Sequence, residues 1–220
     1  AFRPDRTGQR LWMTRQNRLT VFDAPARTPL AEWRNDFADF TSGLGGLVCV
    51  DAGERYAAVG GRDGTVRLVH YEPGGATGRI VIDATWTGSA GAATAVALSG
   101  DESLVATGSH LGRVVVRRVP GGAVVADLSA HTDRVTSVAF SGDGHLLATA
   151  SRDKRVRLWR RTGDGFELLV NLAPVGSSGV RQVAFGPGGR LLILREGESG
   201  VHSWDVERLR TRLAEMGIGW

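Results

Sequence analysis

The sequence predicts an all-β fold made of repeated, four-stranded antiparallel units. Runs rich in Val, Leu, Ala and Thr are short and bounded by Gly, Asp and Ser, the pattern of strands joined by tight turns. Residues 130–162 show three such runs in succession: Val135 to Phe140, His145 to Ser151 and Arg155 to Trp159. The turns Ser141-Gly142-Asp143-Gly144 and Arg152-Asp153-Lys154 separate them. The plan recurs. Val138-Ala139-Phe140-Ser141-Gly142-Asp143 lies without a gap over Val96-Ala97-Leu98-Ser99-Gly100-Asp101 and over Val183-Ala184-Phe185-Gly186-Pro187-Gly188. It lies more loosely over Val48-Cys49-Val50-Asp51-Ala52-Gly53.

Those starts, at 48, 96, 138 and 183, give a period in the forties, which with four short strands per unit marks the blades of a propeller. The units fall at about 1–40, 41–88, 89–130, 131–175 and 176–206. The first is entered late, with strands Arg10 to Arg15, Arg18 to Phe22 and Leu30 to Arg34 after a remnant at Ala1-Phe2. Asp63-Gly64 is a strong hairpin signal in the second. The last unit lacks a fourth strand. In its place Val206, Leu209, Leu213 and Met216 recur at helical spacing, with Gly217 as the stop, so residues 207–220 read as a short helix and tail.

The residues of the fourth unit resemble the WD-repeat β-propeller family. Ala130-His131, Phe140-Ser141-Gly142-Asp143-Gly144, Ser151-Arg152-Asp153 and Leu158-Trp159 carry the likeness, together with the literal Trp204-Asp205 of the last unit. The resemblance implies blades set around an axis, five here with the first and last incomplete. Such propellers usually close with about seven blades, so further blades are expected upstream and an open ring within 1–220. The chain starts without Met, and its tail looks like the end of the WD-repeat region in large bacterial multidomain proteins. The expectation is a C-terminal piece of such a protein.

Composition narrows the function classes. Apolar content of 42% and charged content of 23% suit a soluble globular chain. The single cysteine, Cys49, cannot form an internal disulfide. No apolar run is long enough to span a membrane and no signal peptide is visible, so the expected compartment is the cytoplasm. The pI near 10.1 suggests nucleic acid, yet the formal charge is only +4 and Lys154 is the one lysine. A small excess of arginine raises the pI without a strong field, so nucleic acid is not the expected partner.

His131, Ser151, Asp153 and Trp159 admit two readings. A Ser-His-Asp set is one. The other follows from the resemblance, in which His, Ser or Thr, Asp and Trp form a buried hydrogen-bond tetrad within a blade. The structural reading is preferred, and no residue is assigned to catalysis; Thr149, of the same strand parity, is a second source of the hydroxyl. The other units depart from the pattern, with Thr41, Gly61 and Val69 in the second, Ser89, Leu111 and Arg117 in the third, and Gly176, Glu196 and Glu198 in the fifth. The five histidines show no metal-ligand spacing and no phosphate loop is present, so neither metal nor cofactor is expected. Arg152, Lys154, Arg155, Arg157, Arg160 and Arg161 crowd one hairpin, and most of this basic run reads as a solvated face. The residue before each turn Asp, held by Arg62, His110 and Arg152, faces the partner-binding side in the resembling family. With Arg134, Lys154 and Arg155 these are the expected contacts of a protein partner. The expected function is therefore a non-catalytic interaction scaffold; a propeller hydrolase and an anion or nucleic-acid binder are the alternatives.

Overall fold

A computed structural model describes residues 1–34, 47–74, 78–87, 91–163, 165–172, 178–197 and 200–215. Five antiparallel sheets follow one another along the chain. The first holds β1 (Phe2–Pro4), β2 (Arg10–Arg15), β3 (Arg18–Asp23) and β4 (Pro29–Arg34). The second holds β5 (Leu47–Ala52), β6 (Tyr56–Gly61), β7 (Val66–Glu72) and β8 (Arg79–Trp86). The third holds β9 (Ala93–Leu98), β10 (Leu104–Ser109), β11 (Val114–Arg118) and β12 (Val124–Leu128). The fourth holds β13 (Val135–Phe140), β14 (Leu146–Ser151), β15 (Val156–Arg161) and β16 (Phe166–Leu172). The fifth has three strands, β17 (Val180–Phe185), β18 (Arg190–Arg195) and β19 (Val201–Asp205), followed by α1 (Val206–Glu215). Strand order within each sheet follows the sequence.

The sheets stack face to face because their middle strands are apolar at successive positions. Side chains alternate across a strand, so a continuous apolar run supplies both faces. On β10, Val105 joins a core with Ala58 and Leu68 of the second sheet. Its neighbours Leu104 and Ala106 join another with Val135 and Leu147 of the fourth. On β14, Leu147 faces back while Ala148 and Ala150 pack with Leu191 and Ile193 of the fifth. Trp12, Leu19 and Val21 meet Val50, Val59 and Val69 between the first and second. Comparable packing does not join the fifth sheet to the first among the described residues. The helix starts one residue earlier than the periodicity predicts. Asp205 Oδ1 accepts the Arg208 N–H at 2.9 Å and caps it, and Val206 is buried in the last inter-sheet core. Met216 and the tail lie outside the described residues, as does the Leu213 side chain.

The innermost strands β1, β5, β9, β13 and β17 line a central cavity of about 560 Å³. Each of the last four is bulged against its neighbour, which leaves Val48, Thr94, Thr136 and Arg181 out of the pairing. Those four residues all line the cavity. Thr94 Oγ1 donates to the Val135 carbonyl and Thr136 Oγ1 to the Val180 carbonyl, each at 2.6 Å, so two of the bulges latch one blade to the next. At the opposite end the turns tie the blades. Ser99 and Asp101, and again Ser141 and Asp143, form the same side-chain pair, with the Leu104 or Leu146 N–H donating to the serine at 2.9 Å. Glu102 accepts the N–H groups of Arg55 and Tyr56 from the second blade at 3.1 and 3.0 Å. In the third and fourth blades these bonds fix the turns, and in the third they also hold the turn to the backbone of the neighbouring blade.

Candidate functional site

In the fourth blade, His131 precedes β13, Thr149 lies on β14, Asp153 in the following turn and Trp159 on β15. His131 Nδ1 lies 2.9 Å from Asp153 Oδ2, and its Nε2 lies 2.9 Å from Thr149 Oγ1. Trp159 Nε1–H donates to the same Thr149 oxygen at 3.0 Å. With a neutral ring the chain is complete. The indole donates to the hydroxyl, the hydroxyl donates to Nε2, and Nδ1–H donates to the carboxylate. No buried polar atom of the four is then left unpaired, where an orphan costs about 1–3 kcal/mol.

The hydroxyl is that of Thr149, and Ser151 is not a member. Ser151 Oγ donates to the Asp133 carbonyl at 3.0 Å and accepts the Asp153 N–H at 3.0 Å. Both residues are fully buried and of one parity, but Ser151 sits one strand step too near the turn to reach the imidazole. A histidine-activated serine is therefore not assembled. Arg157, expected on the solvated basic face, is also corrected. Its Nη1 donates to the Ala130 carbonyl, lies 2.8 Å from His131 Nδ1 and 3.3 Å from Asp153 Oδ2. Arg67 repeats only the Asp–Arg pairing in the second blade, four residues after Asp63, at 3.8 Å from its carboxylate and almost wholly buried.

Burial depresses the His131 pKa, and Arg157 opposes the pull of Asp153 in the same sense as burial. Burial works against the Asp153 carboxylate too, but His131 and the N–H groups of Thr132 and Arg155 hold it below the ordinary value. A depressed folded pKa gives stability that is present above the unfolded value and lost as pH falls. For His131 the loss starts near its ordinary value of about 6.5. His70, raised by its hydrogen bond to Asp83, acts in the opposite sense from a half-buried position that solvent still screens in part. Urea midpoints are expected to fall as pH is lowered from about 7 to about 5; a midpoint that rises over this interval contradicts a buried neutral His131.

The tetrad stands directly beneath a face of linked turns. Arg152 N–H donates to the Arg134 carbonyl at 3.1 Å, and the His131 N–H donates to the Gly112 carbonyl at 2.8 Å. The approach at Gly112 needs glycine: φ is +82°, and a Cβ there would fall 2.1 Å from the His131 oxygen. His110 folds over Gly91. Arg62, His110, Arg152, Lys154 and Arg155 are exposed and Arg134 is half-buried, so the sequence-predicted contacts of the third and fourth blades share one loop face. Arg62 occupies the same turn in the second blade. The basic run divides. Arg152 pairs with Glu196 at 3.4 Å and Arg160 with Glu167 at 3.0 Å, while Arg134, Lys154 and Arg155 have no salt bridge among the described residues. Cys49 is inert, its thiol pushed up to about 12 by burial. No group of three or more metal-ligating side chains occurs among the described residues.

Residues 122–160 match the family model described as WD domain, G-beta repeat. Together with the repeated four-stranded antiparallel sheets, this match supports a WD-repeat β-propeller. The matched WD repeat takes the outer strand β12 of one blade and the three inner strands β13 to β15 of the next, and it holds all four tetrad residues. No curated protein matches the chain. The other WD-like blades lack the tetrad for visible reasons. In the second, Val59 and Val69 stand at the positions of Thr149 and Trp159 and are packed in an apolar core. In the third, Thr107 keeps the hydroxyl but has no hydrogen-bond partner among the described residues. Thr41, Ser89, Gly176 and Glu198 lie outside the described residues. Sequence reasoning missed Arg157; the Asp-x-x-x-Arg spacing shared by Asp63–Arg67 and Asp153–Arg157 was the available signal.

Proposed function

We propose that this chain is a non-catalytic platform for a protein partner, engaged through the face that carries Arg62, His110, Arg134, Arg152, Lys154 and Arg155. WD repeats are generally protein-interaction scaffolds. The observation that supports the reading here is the bonding of turn to loop across the third and fourth blades, which holds large polar side chains outward on rigid backbone. Preordered side chains lose little entropy on binding, and loops on a rigid scaffold are where contacts concentrate. A hydrolase reading would need a nucleophile, and the buried Ser151 hydroxyl donates to a backbone carbonyl instead.

Selection of a random-peptide library on the full chain tests the proposal. Recovered binders are expected to lose about tenfold or more in affinity when His110→Ala and Arg152→Ala are combined, and a serine-directed phosphonate is expected to leave Ser151 unlabelled. Binders indifferent to the double variant, or a stoichiometric adduct on Ser151, would overturn it.

A further inference from the structure

We infer that the partner segment is acidic and carries one apolar residue, which rests on the platform reading above and names its ligand chemistry. The segment would run from the third blade to the fifth, with its apolar residue on Leu111 and its carboxylates over Arg134, Lys154, Arg155 and Arg181.

Contiguity comes first. A Cβ at Gly112 would lie 3.1 Å from the Asp133 carbonyl, which places Leu111 beside the loop that carries Arg134. Arg134 is bonded to Arg152 through the backbone. Gly179, two residues before Arg181, abuts the Arg152 backbone, with a built Cβ 3.3 Å from its Cα. Arg181 is the bulged residue of β17 and lines the central cavity. The path is therefore a continuous strip of surface.

Charge and polarity come second. Arg134, Lys154, Arg155 and Arg181 make no salt bridge among the described residues, whereas Arg113, Arg157 and Arg160 nearby are each paired. Cations left unpaired on one strip attract and orient an opposite charge. Leu111 is 61% exposed. It occupies the turn position held by Asp63 and Asp153 in the neighbouring blades, where a carboxylate organises the turn. Here an aliphatic side chain projects instead, and it offers a seat for an apolar residue.

Backbone conformation comes third. The turn residue after Asp63 and after Leu111 is glycine, at φ +78° and +82°, and in the fourth blade it is Lys154 at φ +68°. All three make the same turn bond, from N–H to the carbonyl three residues back. The left-handed region favours glycine, and strain kept where a strain-free residue would serve points to a role for the side chain.

Nucleic acid fits the strip less well. The strip contains no Phe, Tyr or Trp on which a base could stack.

The test is fluorescence anisotropy with the full chain and four labelled probes. They are a glutamate-rich peptide with one terminal leucine, the same peptide with serine for leucine, a lysine-rich counterpart, and oligothymidylate. The leucine-bearing acidic peptide is expected to bind most tightly, with affinity that falls as salt is raised. Lys154→Gly is expected to weaken it about threefold to tenfold while the denaturation midpoint holds or rises. Leu111→Ser is expected to abolish the preference for the leucine-bearing probe. Acidic-probe affinity unchanged in both Lys154→Gly and Arg155→Ala, or oligothymidylate bound as tightly at equal ionic strength, would overturn the inference. Binding of the lysine-rich probe that is lost in the His110→Ala/Arg152→Ala variant would also overturn it while leaving the platform reading intact.

Discussion

Asp153→Ala is expected to lower the stability of the chain by about 3 kcal/mol. The Asp153 side chain is 5% exposed and one of its oxygens meets His131 Nδ1, the Thr132 N–H and Arg157. The other accepts the Arg155 N–H at 3.0 Å. Truncation leaves a buried imidazole donor without an acceptor and a half-buried guanidinium without its counter-charge. Each loss is of the kind that costs more than the bond itself contributes, because the orphaned group stays desolvated. Equilibrium urea denaturation reads the effect. A midpoint equal to wild type would mean that the carboxylate is not a structural element of the fourth blade.

Thr149→Val is expected to cost about 2–3 kcal/mol, with Ser151→Ala at about 1. Valine keeps the volume and branching of threonine, so no cavity opens and the packing of β14 on its neighbours is preserved. The lost hydroxyl serves two buried groups at once, the indole N–H and His131 Nε2. Ser151 by contrast serves two backbone groups at the turn, the Asp133 carbonyl and the Asp153 N–H, which lie closer to solvent. The ranking of the two variants therefore separates the tetrad hydroxyl from the turn hydroxyl.

Much of the fold is legible in the sequence because alternation and turn chemistry are local. The strands Arg10–Arg15 and Val135–Phe140 have their predicted ends, since turn residues such as Gly8, Asn17, Asp133 and Ser141 bound them. The repeat of Val96, Val138 and Val183 identifies the inner strand of three blades for the same reason. What local pattern does not carry is depth along a strand. Thr149 and Ser151 project from the same face, and only the height of the His131 loop over β14 decides between them. Arg157 was misassigned because a run of arginines looks uniformly solvated, while Arg157 lies within β15 and turns back to Asp153, and Arg155 stays in the exposed turn before the strand. The strained Lys154 was invisible for a different reason. A Lys in a hairpin turn is unremarkable until its φ is known and set beside Gly64 and Gly112. The helix boundary moved by one residue because Asp205 both ends β19 and caps α1.

His131, Thr149, Asp153 and Trp159 form one closed hydrogen-bonded chain beneath the loop face of the fourth blade. Hydrogen exchange of the Trp159 indole N–H, followed by nuclear magnetic resonance, tests it most directly. Slow exchange is predicted in wild type and in Ser151→Ala, with fast exchange in Thr149→Val at a denaturant-free pH where all three are folded. Protection lost in Ser151→Ala and kept in Thr149→Val would contradict the account.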